Sequence, residues 1–220
     1  ISSDQTYVDK YIRLTAVSID SRSGTTALTS ASSQVTNVED EATGTLAVSG
    51  TFAEGQTLTA VTSGISDVDD DDGTLAFTYQ WQSSTDDSSF SNITDATSST
   101  FAIASDQTYV DKYIRLTAVS TDSRSGTTAL TSASSQVTNV EDEATGTLAV
   151  SGTFAEGQTL TAVTSGISDV DGTLTFTYQW QSSTDDSSFS NITDATSSTF
   201  DISSDQTYVD KYIRLTAVST

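Results

Sequence analysis

Carboxylates are the side chains of this chain that could do chemistry, because the sequence contains no His, Cys or Met. They occur in two D-x-D pairs, Asp67 with Asp69 and Asp169 with Asp171, and in a run of three acids that occurs twice. Ca²⁺ prefers such grouped oxygens, since it takes about six to eight oxygen ligands. Cation binding is therefore the first chemistry to consider, and catalysis based on His or Cys is excluded.

The acidic groups recur because the chain repeats itself. The segment DQTYVDKYIRLTAVS begins at Asp4, at Asp106 and again at Asp205. A period of about a hundred residues is too long for a solenoid unit that shares its core with its neighbours, and it fits a domain that folds by itself. We expect the chain to be a window on a longer array. The repetition predicts the C-terminal part of a repeat at 1–41, a complete repeat at 42–142 and the N-terminal part of the next repeat at 143–220.

The elements that must position the carboxylates are predicted to be strands. Alternating apolar and polar residues, rich in Val, Thr, Tyr and Phe and bounded by Gly, Ser, Asn and Asp, indicate an all-β fold. In the complete repeat the predicted strands are 43–50, 56–63, 74–84, 90–94, 99–104, 112–121 and 127–137. Seven strands in this order are typical of an immunoglobulin-like β-sandwich, here one without disulfides.

The third predicted strand carries the aromatic core. Side chains two positions apart share one face of a strand, and four large apolar residues share one parity here: Leu75, Phe77, Tyr79 and Trp81. This parity favours a buried Trp81 over an exposed one that stacks on a sugar. The opposing sheet is predicted to supply Ile114, Leu116 and Ala118.

The composition also limits what the chain binds. Eight basic residues oppose thirty acidic ones, which gives a formal net charge of −22. Nucleic acids and anionic membranes are recognised through Lys and Arg, so neither is an expected partner. No stretch approaches the ~18 apolar residues of a membrane-spanning helix, so direct membrane insertion is not expected.

The order of motifs resembles a known family. EGQTLTA at 54–60 is followed in each copy by an Asp-rich loop ending in Gly, by FTYQWQSSTDDSSFSNITDATSSTF at 77–101 and by DKYIRLTAVSTD at 111–122. This order is similar to that of the tandem immunoglobulin-like, cadherin-like repeats of large bacterial surface adhesins of the RTX type. The resemblance covers the whole chain. It implies an extracellular location at the cell surface, an extending role in cell adhesion and dependence on calcium.

In a seven-stranded sandwich, the first and fifth interstrand loops lie beside the outgoing linker, and the second loop of the next repeat faces them. For the second junction, where 42–142 meets 143–220, the candidate Ca²⁺ ligands are Glu54, Asp106, Asp111, Glu141, Asp142, Glu143, Asp169 and Asp171. For the first junction, where 1–41 meets 42–142, they are Asp4, Asp9, Glu39, Asp40, Glu41, Asp67 and Asp69. The alternative is a solvated acidic surface on a protein from a saline habitat. The pattern is not an EF-hand, because the closing bidentate Glu and the flanking helices are missing.

Two functions from different classes remain. One is the extending stalk of an adhesin, in which each repeat contacts its neighbours in the same chain. The alternative is lateral assembly of copies into an extracellular filament, sheath or surface layer. An enzyme is not expected: Asp86 and Asp87 are an acidic pair in a Ser-rich turn, with no nucleophile and base nearby. Lys112 fits either a cross-strand isopeptide bond or a surface cation–π contact.

Overall fold

The computed structural model describes residues 5–71 and 73–220. No helix occurs among them, so the predicted all-β class is confirmed. The same residues contain no helix that is long and apolar enough to span a membrane. The chain divides into two compact units, Ile1–Asn139 and Val140–Thr220.

The first unit begins with two antiparallel pairs, β1 with β4 and β2 with β3. These strands are β1 (Tyr11–Ile12), β2 (Thr15–Ile19), β3 (Thr25–Thr29) and β4 (Ser33–Gln34). Their side chains are exposed along the whole length of all four strands. The sequence of this hairpin segment, residues 11–34, is identical to that of residues 113–136 except that Ile19 corresponds to Thr121.

The complete repeat follows, with residues 42–139 in the same unit, and eight strands occur among its described residues. They are β5 (Ala47–Ser49), β6 (Thr57–Val61), β7 (Ala76–Ser84), β8 (Ser91–Asn92), β9 (Thr100–Ala102), β10 (Tyr113–Thr121), β11 (Thr127–Thr131) and β12 (Ser135–Gln136). One sheet has the order β5-β6-β9, and the other has the order β11-β10-β7-β8 with β12 also paired to β10. All the pairings between these strands are antiparallel, while an isolated bridge between Ala53 and Thr138 is parallel.

The core lies around Trp81, whose burial confirms the prediction from parity. Its indole donates to the Ser98 carbonyl at 3.0 Å and its ring stacks on Phe101 with centroids 5.6 Å apart. Ile114, Leu116 and Ala118 are buried as expected, but their predicted position on the opposing sheet is wrong. They lie on β10, which pairs directly with β7, and Leu116 is the register partner of Trp81.

The residues that do oppose Trp81 come from the β5-β6-β9 sheet and the segments beside it. Leu46, Leu58 and Ile103 are buried in the same cluster as Trp81 and Leu116. Antiparallel strands that neighbour each other contribute side chains to the same face, so β7 and β10 form one wall of the core and cannot form both.

The predicted strand 127–137 is broken in the structure. β11 ends at Thr131 and β12 begins at Ser135. At the break, the hydroxyl of Ser132 accepts the backbone N–H of Leu116 at 2.9 Å and donates to the Ala133 carbonyl at 2.8 Å. A Ser side chain that takes over backbone hydrogen bonds in this way competes with a regular ladder.

The second unit repeats the same pairings. Its strands are β13 (Ala149–Ser151), β14 (Thr159–Val163), β15 (Phe176–Ser183), β16 (Ser190–Asn191), β17 (Thr199–Asp201) and β18 (Tyr212–Ser219). The sheets have the orders β13-β14-β17 and β16-β15-β18. Trp180 is buried at the position of Trp81 and pairs in register with Leu215.

Candidate cation site at the first junction

Asp69 is the centre of the first junction. It ends the D-x-D pair in the loop between β6 and β7, and its side chain is fully buried. One carboxylate oxygen accepts the backbone N–H of Asp40 at 2.6 Å, and the other accepts the side-chain amide of Gln5 at 2.5 Å. Its own N–H donates to Asp67 Oδ1 at 2.9 Å. The loop, the linker and the preceding hairpin segment therefore meet at one carboxylate.

Asp122, in the turn between β10 and β11, is a second buried carboxylate at this place, only 7% exposed. Its Oδ1 accepts the N–H groups of Arg124 at 2.6 Å and Gly126 at 3.0 Å, which is how an Asp side chain stabilises a tight turn. Its Oδ2 is buried and has no hydrogen-bond partner. A buried charged oxygen without a partner costs free energy unless a cation or a proton reaches it.

Glu39 from the linker completes a group that we call the carboxylate cluster, consisting of Glu39, Asp69 and Asp122. One oxygen from each residue lies within 4.8 Å of the other two, close enough for a single metal ion to contact all three. Desolvation, the negative charges of Asp122, Asp69 and Asp67, and the hydrogen bond that a protonated Glu39 can donate to Asp122 raise the pKa of Glu39. Without a cation, these neighbours therefore disfavour the ionised form of Glu39.

Gly126 makes room for the Glu39 carboxylate, because a Cβ at this position would overlap the Glu39 oxygens. The turn that holds Asp122 thus also accommodates the linker acid.

Two amide oxygens at the same junction are also buried without a partner, Gln5 Oε1 and Asn37 Oδ1. The same two residue types recur one repeat later, where Gln107 Nε2 donates to Asn139 Oδ1 at 2.5 Å. Neutral amide oxygens are ordinary Ca²⁺ ligands beside carboxylates. The described part of the junction thus contains two buried amide oxygens in addition to the carboxylate cluster.

Arg124 supplies a positive charge on another side of the turn. Its two terminal nitrogens contact Asp9 Oδ2 at 2.9 Å and Asp71 Oδ2 at 2.7 Å. The hydrogen bond to Asp9, together with the charges of Asp71, Asp9 and Asp69, raises the pKa of Arg124 above its ordinary value. The Asp9 carboxylate, a candidate metal ligand from the sequence, is therefore engaged by a guanidinium.

The other candidates of the first junction have separate positions. Asp4 lies outside the described residues. The Asp67 carboxylate accepts the backbone N–H of Asp69. Asp40 donates its backbone N–H to Asp69, but the side chains of Asp40 and Glu41 are exposed. The structure thus brings Glu39 and Asp69 together and adds Asp122, which the sequence prediction missed.

Asp122 was missed because the prediction used only the loops expected beside a linker, and the β10–β11 turn was not among them. A signal was present in the sequence. DSRSG at 122–126 places an Asp four residues before a Gly between two strand patterns, as DSRSG does at 20–24. Such spacing marks a turn held by the Asp side chain.

In the second unit, the candidates Asp169 and Asp171 repeat the local geometry. The N–H of Asp171 donates to Asp169 Oδ1 at 2.9 Å, and the N–H of Asp142 donates to Asp171 Oδ2 at 2.7 Å. An open cleft in this unit is lined by four acids together with Leu174 and Ser219. The four acids are Glu141, Asp142, Glu143 and Asp169.

The remaining candidates, Glu54, Asp106 and Asp111, lie in the first unit. Asp106 accepts the N–H of Thr108 at 3.1 Å, and hydrogen bonds from the Thr108 side chain and backbone lower its pKa. Gln107 Nε2 approaches the Glu54 carboxylate at 3.4 Å. Asp111 has a positive φ of 62° and its N–H donates to the Val137 carbonyl at 3.0 Å.

The other groups singled out in the sequence have structural contacts. Asp86 Oδ1 accepts Ser89 N–H at 2.7 Å, Ser88 N–H at 2.9 Å and the Ser84 hydroxyl at 2.7 Å. These bonds, that of Ser89 first, hold the pKa of Asp86 well below its usual range. Lys112 Nζ lies 5.8 Å from the ring centroid of Tyr109, which agrees with the cation–π interpretation.

Comparison with known families places the chain in one of them. A protein-family model described as Domain of unknown function (DUF8696) matches residues 42–141 and, a second time, residues 144–219. No curated protein matches the chain. Each matched stretch contains one D-x-D loop and one core Trp. The chain therefore belongs to the family of domains of unknown function DUF8696.

Proposed function

We propose that this chain is a segment of the extending stalk of an extracellular bacterial adhesin, and that Ca²⁺ stiffens the junctions between its repeats. In this proposal each repeat has an immunoglobulin-like sandwich architecture. Two sheets of antiparallel strands around a buried Trp support that architecture. Near-identical repeats in series suit a stalk, because length is then added without changing the contacts at each joint.

The observation that carries the proposal is the convergence of Asp122 with Asp69 and Glu39, together with a buried Oδ2 of Asp122 that has no hydrogen-bond partner. The three charges come from the β10–β11 turn, the β6–β7 loop and the linker. A divalent ion among them would neutralise their repulsion and crosslink three segments. Hard oxygen donors alone, with no His or Cys, suit Ca²⁺ better than Zn²⁺.

The linker is held by hydrogen bonds at two positions, which suits a joint that does not hinge freely. Asp40 N–H donates to Asp69, and Ala42 N–H donates to the Thr128 hydroxyl on β11 at 2.8 Å. The nearby Arg124 acts on Asp69 only through its charge, because its terminal nitrogens contact Asp9 and Asp71. A cation supplied by the surroundings would complete the joint.

The test is the thermal unfolding of the whole chain in EGTA and in millimolar Ca²⁺. Ca²⁺ bound only to the folded joint at about a hundred times its Kd would add roughly 2.7 kcal/mol. The Asp122→Asn variant should lose most of this response. The control is Asp20→Asn, since Asp20 Oδ1 caps the equivalent turn by accepting from Arg22 N at 2.8 Å and Gly24 N at 2.9 Å. It should keep the response, and equal responses of the two variants would contradict the site.

Stiffening is measured directly with spin labels. Cys can be introduced at the exposed positions Thr26 and Thr97, one on each side of the first junction, because the chain has no other thiol. Ca²⁺ should narrow the distance distribution between the labels. The chain should also sediment as a monomer, and ordered fibres at the same Ca²⁺ concentration would instead support the filament alternative.

A further inference from the structure

Arg124 joins three segments of the first junction without any metal ion. Its guanidinium bridges Asp9, which is 115 positions away in the sequence, and Asp71, which is 53 positions away. The Arg124 side chain is 23% exposed, against 62% for Asp9 and 55% for Asp71. Exposed ion pairs stabilise little when they are isolated, but one half-buried guanidinium shared by two carboxylates resists screening better.

The turn that carries Arg124 also binds the loop that carries Asp71. Asp71 N–H donates to the Ser123 hydroxyl at 2.9 Å, Ser123 N–H donates to Asp70 Oδ1 at 3.3 Å, and the Ser123 hydroxyl donates to the Asp69 carbonyl at 3.3 Å. In the sequence, residues 70–72 have no counterpart in the next repeat, and we call them the loop extension. The loop of the next repeat passes directly from Asp171 to Gly172, so it has no counterpart of Asp71.

We propose that Arg124 is the built-in cation of the first junction, and that the loop extension 70–72 determines how firmly a junction holds when no metal ion is bound. Junctions with the extension keep a guanidinium bridge between neighbouring repeats. Junctions with the short loop lack the second carboxylate and depend more on the external cation. Stiffness is thereby set repeat by repeat through three loop residues. This inference rests on the proposed function only in the assumption that the stiffness of the junctions between repeats matters for the function of the chain.

A protease that cuts after Glu provides the assay, because the linker of the first junction contains Glu39 and Glu41. Cleavage of a folded protein follows the population of the open form when opening is fast. In EGTA, the whole chain carrying Arg124→Gln should be cut at Glu39 or Glu41 roughly three to five times faster than the unaltered chain. The identical linker sequence at Glu141 and Glu143 gives different fragment sizes and serves as an internal control.

The matched control variant is Arg22→Gln. Arg22 has the same place in the equivalent turn of the preceding hairpin segment and is exposed. It should leave the cleavage rate at Glu39 and Glu41 unchanged. Equal rates for the Arg124 and Arg22 variants would overturn the inference.

Two further variants keep the inference open to refutation if Arg124→Gln folds poorly. Asp71→Asn changes only an exposed loop carboxylate and should speed cleavage in the same direction. Deletion of residues 70–72, which recreates the short loop, should do so as well and should reduce the added effect of Arg124→Gln. Unchanged cleavage in both variants would exclude the loop from this role. The fluorescence of the two buried Trp residues, Trp81 and Trp180, reports whether each variant is folded.

The two proposals fail separately. Suppose that Ca²⁺ slows cleavage in every variant, and that Arg124→Gln is cut at the same rate as Arg22→Gln. The built-in cation is then refuted and the calcium joint stands. If Arg124→Gln speeds cleavage but Ca²⁺ changes no rate, the guanidinium bridge stands and the calcium joint is refuted.

Discussion

The backbone N–H of Asp40 donates to Oδ2 of Asp69 at 2.6 Å. One repeat later, Asp142 makes the same bond to Asp171 at 2.7 Å. In both places the second Asp of a D-x-D pair is fixed by the linker that precedes its own repeat. The motif therefore ties the linker to the β6–β7 or β14–β15 loop by a direct hydrogen bond.

Replacement of Asp69 by Asn should weaken this tie. The two donors, Asp40 N–H and Gln5 Nε2, contact different oxygens of Asp69, and Asn carries a donating NH₂ group in place of one of them, so one bond is lost. Loss of one such charge-assisted bond at a fully buried group should cost about 1–3 kcal/mol of unfolding free energy in Ca²⁺. In EGTA the loss should be smaller, because the variant also removes repulsion with Glu39 and Asp122.

Urea unfolding of the whole chain measures both values. Asp95→Asn is the charge-matched control, since Asp95 is exposed and its φ of 59° is a conformation that Asn tolerates. It should stay within about 0.5 kcal/mol of the unaltered chain. A loss for Asp69→Asn that is as large in EGTA as in Ca²⁺ would argue against a cation at the cluster.

Local features of the fold could be predicted from the sequence, while strand partners could not. Period-two parity identified the buried face of β7 and the burial of Trp81, because side-chain direction along a strand is a local property. Parity does not say which strand lies alongside. Leu116 was therefore placed across the core from Trp81, although β10 pairs with β7 in the same sheet.

The carboxylate cluster was predictable in part for the same reason. Glu39 and Asp69 belong to acidic groups in the linker and in a loop expected beside it, so the sequence pattern pointed to them. Asp122 stands alone in a hairpin turn, and what makes it notable is burial without a partner for Oδ2, which depends on tertiary packing. Arg124 contacts Asp9 across 115 positions, and no local pattern predicts such a pairing.

Ser132→Ala should be destabilising because it removes the acceptor of a buried donor. The Leu116 N–H donates to the Ser132 hydroxyl at 2.9 Å, at a buried position. Leaving this N–H unsatisfied should cost about 1–3 kcal/mol, measured by urea unfolding. Ser30 accepts from Leu14 N–H at the same 2.9 Å on an exposed hairpin, where water replaces the hydroxyl. Ser30→Ala should therefore cost less than about 0.5 kcal/mol, and similar losses for the two variants would contradict this account.

Acid should destabilise the chain through its capped Asp residues. The backbone N–H of Ser89 makes the largest contribution to holding the pKa of Asp86 well below its usual range, and Ser188 does the same for Asp185. Hydrogen bonds from the hydroxyls of Ser203 and Thr207 lower the pKa of Asp205 to about 2. A carboxylate whose pKa is lower in the folded state contributes stability above its unfolded pKa, near 3.8, and loses it as the pH falls through the folded value.

The double variant with Asp86→Asn and Asp185→Asn isolates this effect. It should melt at a lower temperature than the unaltered chain at pH 5, because its amides accept weaker hydrogen bonds. Its melting temperature should then fall less between pH 4 and pH 2, since two titrating groups are gone. Melting curves followed by circular dichroism give both quantities. Parallel pH profiles for the two proteins would show that these turns do not govern acid stability.

The side chain of Gln80 should hold the segment after β8 against the backbone of Trp81 through hydrogen bonds. Its side-chain Nε2 donates to the carbonyls of Trp81 at 2.9 Å and Ile93 at 2.8 Å. Gln80→Met preserves the length of the side chain but leaves these carbonyls without that donor, at a cost of about 1–2 kcal/mol. The backbone N–H of Trp81 donates to the Ala96 carbonyl at 2.9 Å. In Gln80→Met, the hydrogen of this backbone amide should exchange faster with solvent, as measured by NMR. Gln82→Met is the control, because Gln82 Nε2 donates to Asn92 Oδ1 on the exposed side at 2.8 Å. Faster hydrogen exchange at the Trp81 backbone amide in Gln82→Met, or an unchanged rate in Gln80→Met, would show that Gln80 does not hold this segment.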